Sequence, residues 1–158
     1  MSDLSLFTHV SDTVTTNDYY TPKWLFDAMG LEFDIDVCAP AHGIPWIPAK
    51  RWFSQADDGL SQNWGGALVW MNPPFSKPGP WFDKFIENNN GAAIGVVSKS
   101  KWFAKMWDIS TAIVSLPPLV EFIRPDGLKK EVSLQTFLFA MGDTATEALH
   151  SMKLGRVR

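Results

Sequence analysis

Ala67-Leu68-Val69-Trp70-Met71-Asn72-Pro73-Pro74-Phe75 is the stretch on which the fold turns. Its first half is short and almost wholly apolar, as a central strand is when both faces of its sheet are covered. Two prolines then end it, because a residue without a backbone N–H cannot continue a ladder. A helical pattern begins at Pro80, with Trp81, Phe82, Phe85 and Ile86 turned inward and the Asn88-Asn89-Asn90-Gly91 run as its stop. Buried strand, sharp turn and amphipathic helix make the repeating unit of an α/β sheet.

The same alternation extends in both directions. Towards the C-terminus, 92–98 reads as a buried strand, 101–107 as a short helix, and 112–116 as a strand closed by Pro117-Pro118. Trp81, Trp102 and Trp107 have helical spacing to apolar neighbours and are expected mostly in the core. Segments 120–123 and 134–140 flank the Pro125-Asp126-Gly127 turn and read as an antiparallel pair, and 145–152 as a closing helix. Towards the N-terminus, Thr21 is a candidate cap and Pro22 suits a first helical turn; Trp24, Leu25, Ala28 and Met29 share a face, and Gly30 is a stop. Residues 32–37 alternate acidic and apolar, as a strand with an acidic end does, and the prolines and glycine of 38–52 predict a loop. The expected architecture is a single α/β domain over residues 18–158, with a mostly parallel sheet, an antiparallel edge hairpin and a contraction around the second strand. Residues 1–17 read as a flexible arm.

Composition bounds the function. A chain of 158 residues with 46% hydrophobic content supports one core, and its apolar runs are of strand length, which argues against a membrane span and a secretory signal. Cys38 is the lone cysteine, which excludes an intramolecular disulfide and a Cys-cluster zinc site and fits a reducing cytoplasm. His9 and His150 lack partners at ligand spacing, so no metal is expected. The net charge of -3 requires that any nucleic-acid partner meet a local basic patch.

Asn72-Pro73-Pro74-Phe75 lies beyond the carboxyl end of a strand, where ligands of open α/β sheets sit. The Asn72 side-chain carbonyl and the Pro73 backbone carbonyl can accept both hydrogens of a planar amino group, while the prolines stiffen the backbone that aims them. An exocyclic amine is a poor nucleophile because its lone pair is delocalised into the ring; bonding both hydrogens helps it pyramidalise. Phe75 offers a ring for stacking. The plainer reading is a proline-rich turn in which Asn72 makes only a local side-chain turn.

The tetrapeptide matches the (Asn/Asp)-Pro-Pro-(Tyr/Phe) motif of amino-directed methyltransferases that use S-adenosyl-L-methionine (SAM), and its setting resembles the small phage DNA N6-adenine methyltransferases. Tyr20-Thr21-Pro22 followed by Trp24-Leu25-Phe26 resembles that family's N-terminal helix beside the methionine moiety. Asp36-Val37-Cys38-Ala39 is similar to its acidic strand end, Asp58-Gly59-Leu60 with Trp64 to its Asp-x-Leu…Trp segment, and 81–84 to its post-motif helix. The resemblance implies a Rossmann-like fold and methyl transfer to adenine N6 in DNA, with the target base flipped out and S-adenosyl-L-homocysteine as product. It places Asn72, Pro73, Pro74 and Phe75 at the reacting base, and Tyr20, Thr21, Pro22, Asp36, Cys38, Ala39 and Asp58 around the cofactor. On chemistry, Asp36 suits the cofactor's ammonium, Thr21 or nearby amides its carboxylate, and Asp58 its adenine amino group. Two features depart from the pattern: Cys38-Ala39-Pro40-Ala41-His42-Gly43 replaces a Gly-x-Gly loop, and 44–52 is too short for the usual helix and second strand, whose acidic end would hold the ribose.

Lys77, Lys99, Lys101, Arg124, Lys129 and Lys130 are the candidate DNA contacts; Lys84 and Lys105 read as solvated helix faces. The expected partner is DNA, with no membrane, no metal, and a homodimer left open, in the cytoplasm (the host's, if phage-encoded). Methylation of RNA or of a glutamine amide, and a non-catalytic relic that only binds nucleic acid or protein, remain as alternatives.

Overall fold

The computed structural model describes residues 19–158 apart from 119, 133 and 155. The expected arm, 1–17, lies outside the described residues. Nine strands and four α-helices follow one another: α1 (Lys23–Met29), β1 (Phe33–Asp36), β2 (Ala49–Trp52), β3 (Val69–Met71), α2 (Gly79–Asn88), β4 (Gly91–Val96), α3 (Lys101–Ile109), β5 (Ala112–Ser115), β6 (Glu121–Ile123), β7 (Lys129–Glu131), β8 (Thr136–Met141), α4 (Asp143–Ser151) and β9 (Arg156–Val157). Seven strands form one sheet in the order β2-β1-β3-β4-β8-β5-β9. The pairs β2/β1, β1/β3 and β3/β4 are parallel, whereas β8 runs antiparallel to both β4 and β5. The fold is Rossmann-like, with a mostly parallel sheet: β2, β1, β3, β4 and β5 point one way, and β8 and β9 run against them.

Period-2 alternation splits the core into two layers. Phe33, Trp70, Ala92, Ile94, Leu138 and Ala140 face one side, where Leu25, Phe26 and Met29 of α1 and Ala145 and Leu149 of α4 cover them. Ile35, Val69, Met71, Ala93, Phe137 and Phe139 face the other, under Phe82 and Phe85 of α2 and Met106 of α3. Covering on both sides is why β3 and β8 are buried along their whole lengths and, after Thr136, read as unbroken apolar runs.

Several expectations need correction. The antiparallel hairpin is not an edge of the main sheet: β6 pairs with β7 as a separate two-stranded sheet, closed by Arg124 N–H donating to Leu128 O at 2.8 Å. So tight a turn returns the chain within five residues, which leaves the later run free to enter the main sheet as β8. A second strand does exist within 44–52; what is missing between β1 and β2 is a helix, excluded by three prolines. In α1, Pro22 is the N-cap and no side chain caps it. Trp24 is 39% exposed and Phe26 takes its inward place. Trp107 is 40% exposed, with the Arg158 guanidinium 5.2 Å over its ring.

Candidate active site

From β1 the chain moves outward to β2 and then returns across β1 to β3 on its other side. The strand order therefore reverses between β1 and β3, and the crevice beyond their carboxyl ends is the topological switch point where such sheets hold ligands. Asp36 closes β1, and Asn72 directly follows β3.

Asn72 is half-buried, and both ends of its amide can be identified. Its Nδ2 donates to the Tyr19 carbonyl oxygen at 2.9 Å and to Thr21 Oγ1 at 3.2 Å. A backbone carbonyl only accepts, so the atom facing Tyr19 is the nitrogen and Oδ1 lies on the other branch. Thr21 is fully buried, and Pro22 beside it is buried too. The segment 19–21 is itself held from two sides. Tyr20 and Ile123 exchange backbone hydrogen bonds of 2.7 and 2.9 Å, and Trp46 Nε1 donates to the Thr21 carbonyl at 2.8 Å.

At the neighbouring strand end, Asp36 is 3% exposed and accepts from the Cys38 backbone N–H at 3.3 Å. No Lys, Arg or His among the described residues pairs with it. Burial pushes its carboxyl up to about 7, against the lowering effect of that single hydrogen bond. Burial, reinforced by the Asp36 charge, pushes the Cys38 thiol up to about 12, so it stays protonated and is no nucleophile. Ala39 is buried and continues the β1/β2 ladder, donating to Phe53 O at 2.9 Å. In the loop beyond, Gly43 has φ +70°, and a Cβ there would stand 2.9 Å from the Trp52 ring, so its bare backbone makes room for that indole.

Asp58 is exposed at φ +53°. It is placed against β1 by its buried neighbour Gly59, whose carbonyl accepts from Trp64 Nε1 at 2.9 Å. Lys84, expected on a solvated face, instead donates to Leu60 O at 2.9 Å and lies over the Trp64 ring. The Asp58-Gly59-Leu60…Trp64 segment is thus a unit pinned beside the end of β1.

Beside Tyr19 and the residues that follow Asn72, a cavity of about 480 Å³ opens between the motif, the end of β4, the start of α3 and the β6/β7 hairpin; Asn72 itself does not line it. Pro73, Phe75, Gly95, Ser98, Trp102 and Lys130 are among its lining residues. Pro73 is buried and Pro74 half-buried. Phe75 is half-buried and packs edge-on against Tyr19 and Phe122, with ring centroids 6.5 and 5.8 Å away. Sequence reasoning missed Trp102 as a wall, because helical spacing assigned it to the core; it does stack on Phe82 at 4.4 Å, so one side chain serves both. Tyr19 was missed although it adjoins Tyr20, since a backbone carbonyl leaves no sequence signal.

The expected basic residues divide. Lys77, Lys99 and Lys101 are exposed and each is flanked in sequence by cavity-lining residues, and Lys130 lines the cavity itself. Lys129 is exposed on β7, whereas Arg124 is half-buried and paired with Asp126 at 2.9 Å. Lys105 pairs loosely with Asp83 at 3.8 Å. Among the described residues, no group of three His, Cys, Asp or Glu stands together as metal ligands would, and no helix is long and apolar enough to cross a membrane.

The model of the family described as DNA N-6-adenine-methyltransferase (Dam) matches residues 9–132. The DNA N-6-adenine-methyltransferase of Haemophilus phage HP1 (strain HP1c1) is 30% identical over 93 residues, a match covering 52% of this chain and 52% of that protein. The chain thus spans about half the length of the curated relative it matches. With the family match extending over most of the chain, including the Asn-Pro-Pro-Phe turn at the switch point, this protein belongs to the DNA N-6-adenine-methyltransferase (Dam) family.

Proposed function

We propose that this chain catalyses methyl transfer from SAM to the N6 amino group of adenine in DNA. The observation that carries the reading is the amide of Asn72: both its hydrogens are engaged by Tyr19 and Thr21, which leaves Oδ1 as an acceptor at a switch-point crevice. An acceptor there suits an amino group and not a keto oxygen. Together with the Pro73 carbonyl it can draw on both N–H bonds of the acceptor amine and favour the pyramidal nitrogen that attacks. The proton leaves after transfer, so no strong base is required, in keeping with the absence of a reactive role for Cys38.

The cofactor fits the residues present. Asp36 is a buried carboxylate with no cationic partner among the described residues, which matches an ammonium ligand. Asp58 stands at the same strand end and can accept from an amino group of the cofactor's adenine. When bound, SAM supplies an electrophilic methyl on a sulfonium. Tyr20, Pro22, Cys38 and Ala39 shape the site's walls; none of these residues is asked to move a proton.

The 480 Å³ cavity beside the motif is roomy enough for a flipped base, with Phe75 and Trp102 as aromatic walls. Lys130, which lines it, with exposed Lys77, Lys99 and Lys101 next in sequence to lining residues and Lys129 on the same hairpin, would supply the local positive patch that a chain of net charge -3 needs to track phosphates. The deciding experiment offers labelled SAM with unmethylated genomic DNA, RNA and protein acceptors, followed by base analysis. Label in N6-methyladenine of DNA is expected; label confined to RNA or protein, or none, refutes the assignment.

A further inference from the structure

We propose that Thr21 is a positioning residue whose hydroxyl takes up the second hydrogen of the Asn72 amide, so that only the carbonyl end of that amide is offered to the acceptor amine. This rests on the role of Asn72 proposed above and goes beyond it. A primary amide has two hydrogens, and in this structure each has its own acceptor: the Tyr19 carbonyl at 2.9 Å and Thr21 Oγ1 at 3.2 Å. With both used, Asn72 has no donor left for a ligand. The Tyr19 carbonyl also resists a flip of the amide, because turning it over would set Oδ1 against that oxygen, two acceptors face to face with nothing to donate.

Thr21 suits this task because it cannot move. It is fully buried, its own carbonyl is held by Trp46 Nε1 at 2.8 Å, and its neighbour Tyr20 is bridged to Ile123. A hydroxyl on so restrained a backbone is preorganised, which is what an aligning group requires. It also explains why a threonine just before a helix does not cap it: α1 has no side-chain cap, and the hydroxyl is spent 51 residues away in sequence. Loss of the hydroxyl leaves one amide hydrogen unpaired, so that Asn72, still held by Tyr19, offers a donor where the substrate also has one.

The test compares Thr21→Val, which keeps the shape without the acceptor, with Thr21→Ser, which restores it, and runs Asn72→Ala beside them. Single-turnover methyl transfer to unmethylated genomic DNA, SAM affinity by calorimetry and melting temperature are measured on each full chain. Thr21→Val is expected to slow transfer about tenfold, the scale of one lost hydrogen bond, with SAM affinity and melting temperature held and Thr21→Ser close to the parent. Should Thr21→Val melt early, Thr21→Cys repeats the comparison with a poor sulfur acceptor of similar size. Parent-like transfer by Thr21→Val while Asn72→Ala is inactive overturns the role of Thr21 alone. A parallel fall in SAM affinity makes Thr21 a cofactor contact and also overturns it. Transfer that survives Asn72→Ala removes the proposed function of Asn72, and the positioning role with it.

Discussion

Gly59 lies so close to Val37 that a Cβ on the glycine would stand 2.2 Å from the Val37 carbonyl oxygen and 3.1 Å from the Trp81 ring. The backbone of one segment thereby abuts the end of β1 directly, and this approach sets Asp58 beside that strand end. Gly59→Ala must push the two apart or distort both. It is expected to destabilise the protein by about 1–3 kcal/mol, as overpacking does, and to weaken SAM binding. Gly66→Ala, at a glycine with open space around it, controls for backbone stiffening, although its φ of +74° carries its own strain. Thermal melts and calorimetry at one pH decide; an unchanged Gly59→Ala protein contradicts the close approach.

Asp36 should make both stability and cofactor binding depend on pH. Burial disfavours the charge and pushes its carboxyl up to about 7 in the fold, from the ordinary 3.8. Between those values the folded state binds the extra proton, so stability falls as pH rises through the window and the cost is complete above about 7. Asp36→Asn should therefore raise the melting temperature at pH 8 and change it little near pH 4. SAM affinity should move the other way: ionised Asp36 pairs with an ammonium, so affinity rises with pH through about 7 in the parent and this dependence disappears in Asp36→Asn. A flat profile in the parent would remove Asp36 from the cofactor site.

The strand-turn-helix around Asn72 was legible because its signals are local: an apolar run, two prolines and a helical period in twenty residues. Long-range choices were not. The run 134–140 reads as a strand paired with 120–123, but nothing in it says that its residues 136–141 insert antiparallel between β4 and β5, which depends on which sheet edges remain open. Trp24 and Phe26 were exchanged because α1 has only seven residues, under two full turns, so periodicity hardly discriminates faces. Thr21 was read by a local capping rule, whereas its partner comes from a different strand end. Asp36 and Asn72 were found as strand-end polar residues, while the Tyr19 carbonyl and the Trp102 wall carry no signal of their own.

The exposed lysines next in sequence to the cavity's lining residues should account for the salt dependence of DNA binding. Lys99→Ala and Lys101→Ala are each expected to lower DNA affinity and to reduce the log-log salt slope by about one unit, with SAM affinity untouched. Arg124→Ala should change the slope less, since Asp126 already neutralises that guanidinium at 2.9 Å. Lys84→Ala serves as the contrast: its ammonium is held by the Leu60 carbonyl, so its loss should appear in the melt and leave the slope alone. Equal slopes across the series would place the phosphate track elsewhere.

Phe75 combines two roles that different substitutions separate. Its ring packs edge-on against Tyr19 and Phe122, joining the motif to the β6/β7 hairpin, and it also lines the cavity. Phe75→Ala should lose both, with a lower melting temperature and weak capture of the target base. Phe75→Leu refills most of the apolar volume, so its melting temperature should recover towards the parent's. It offers no π-face, however, and base capture should remain poorer by about 1–3 kcal/mol, the worth of one base–aromatic stack. Phe75→Tyr keeps the face and should preserve capture wherever its hydroxyl finds solvent. If Leu restores binding as fully as Tyr, Phe75 holds the hairpin in place and does not stack on the base. Melting temperature and the affinity for DNA carrying an unpaired adenine, measured on all three variants, distinguish the two outcomes.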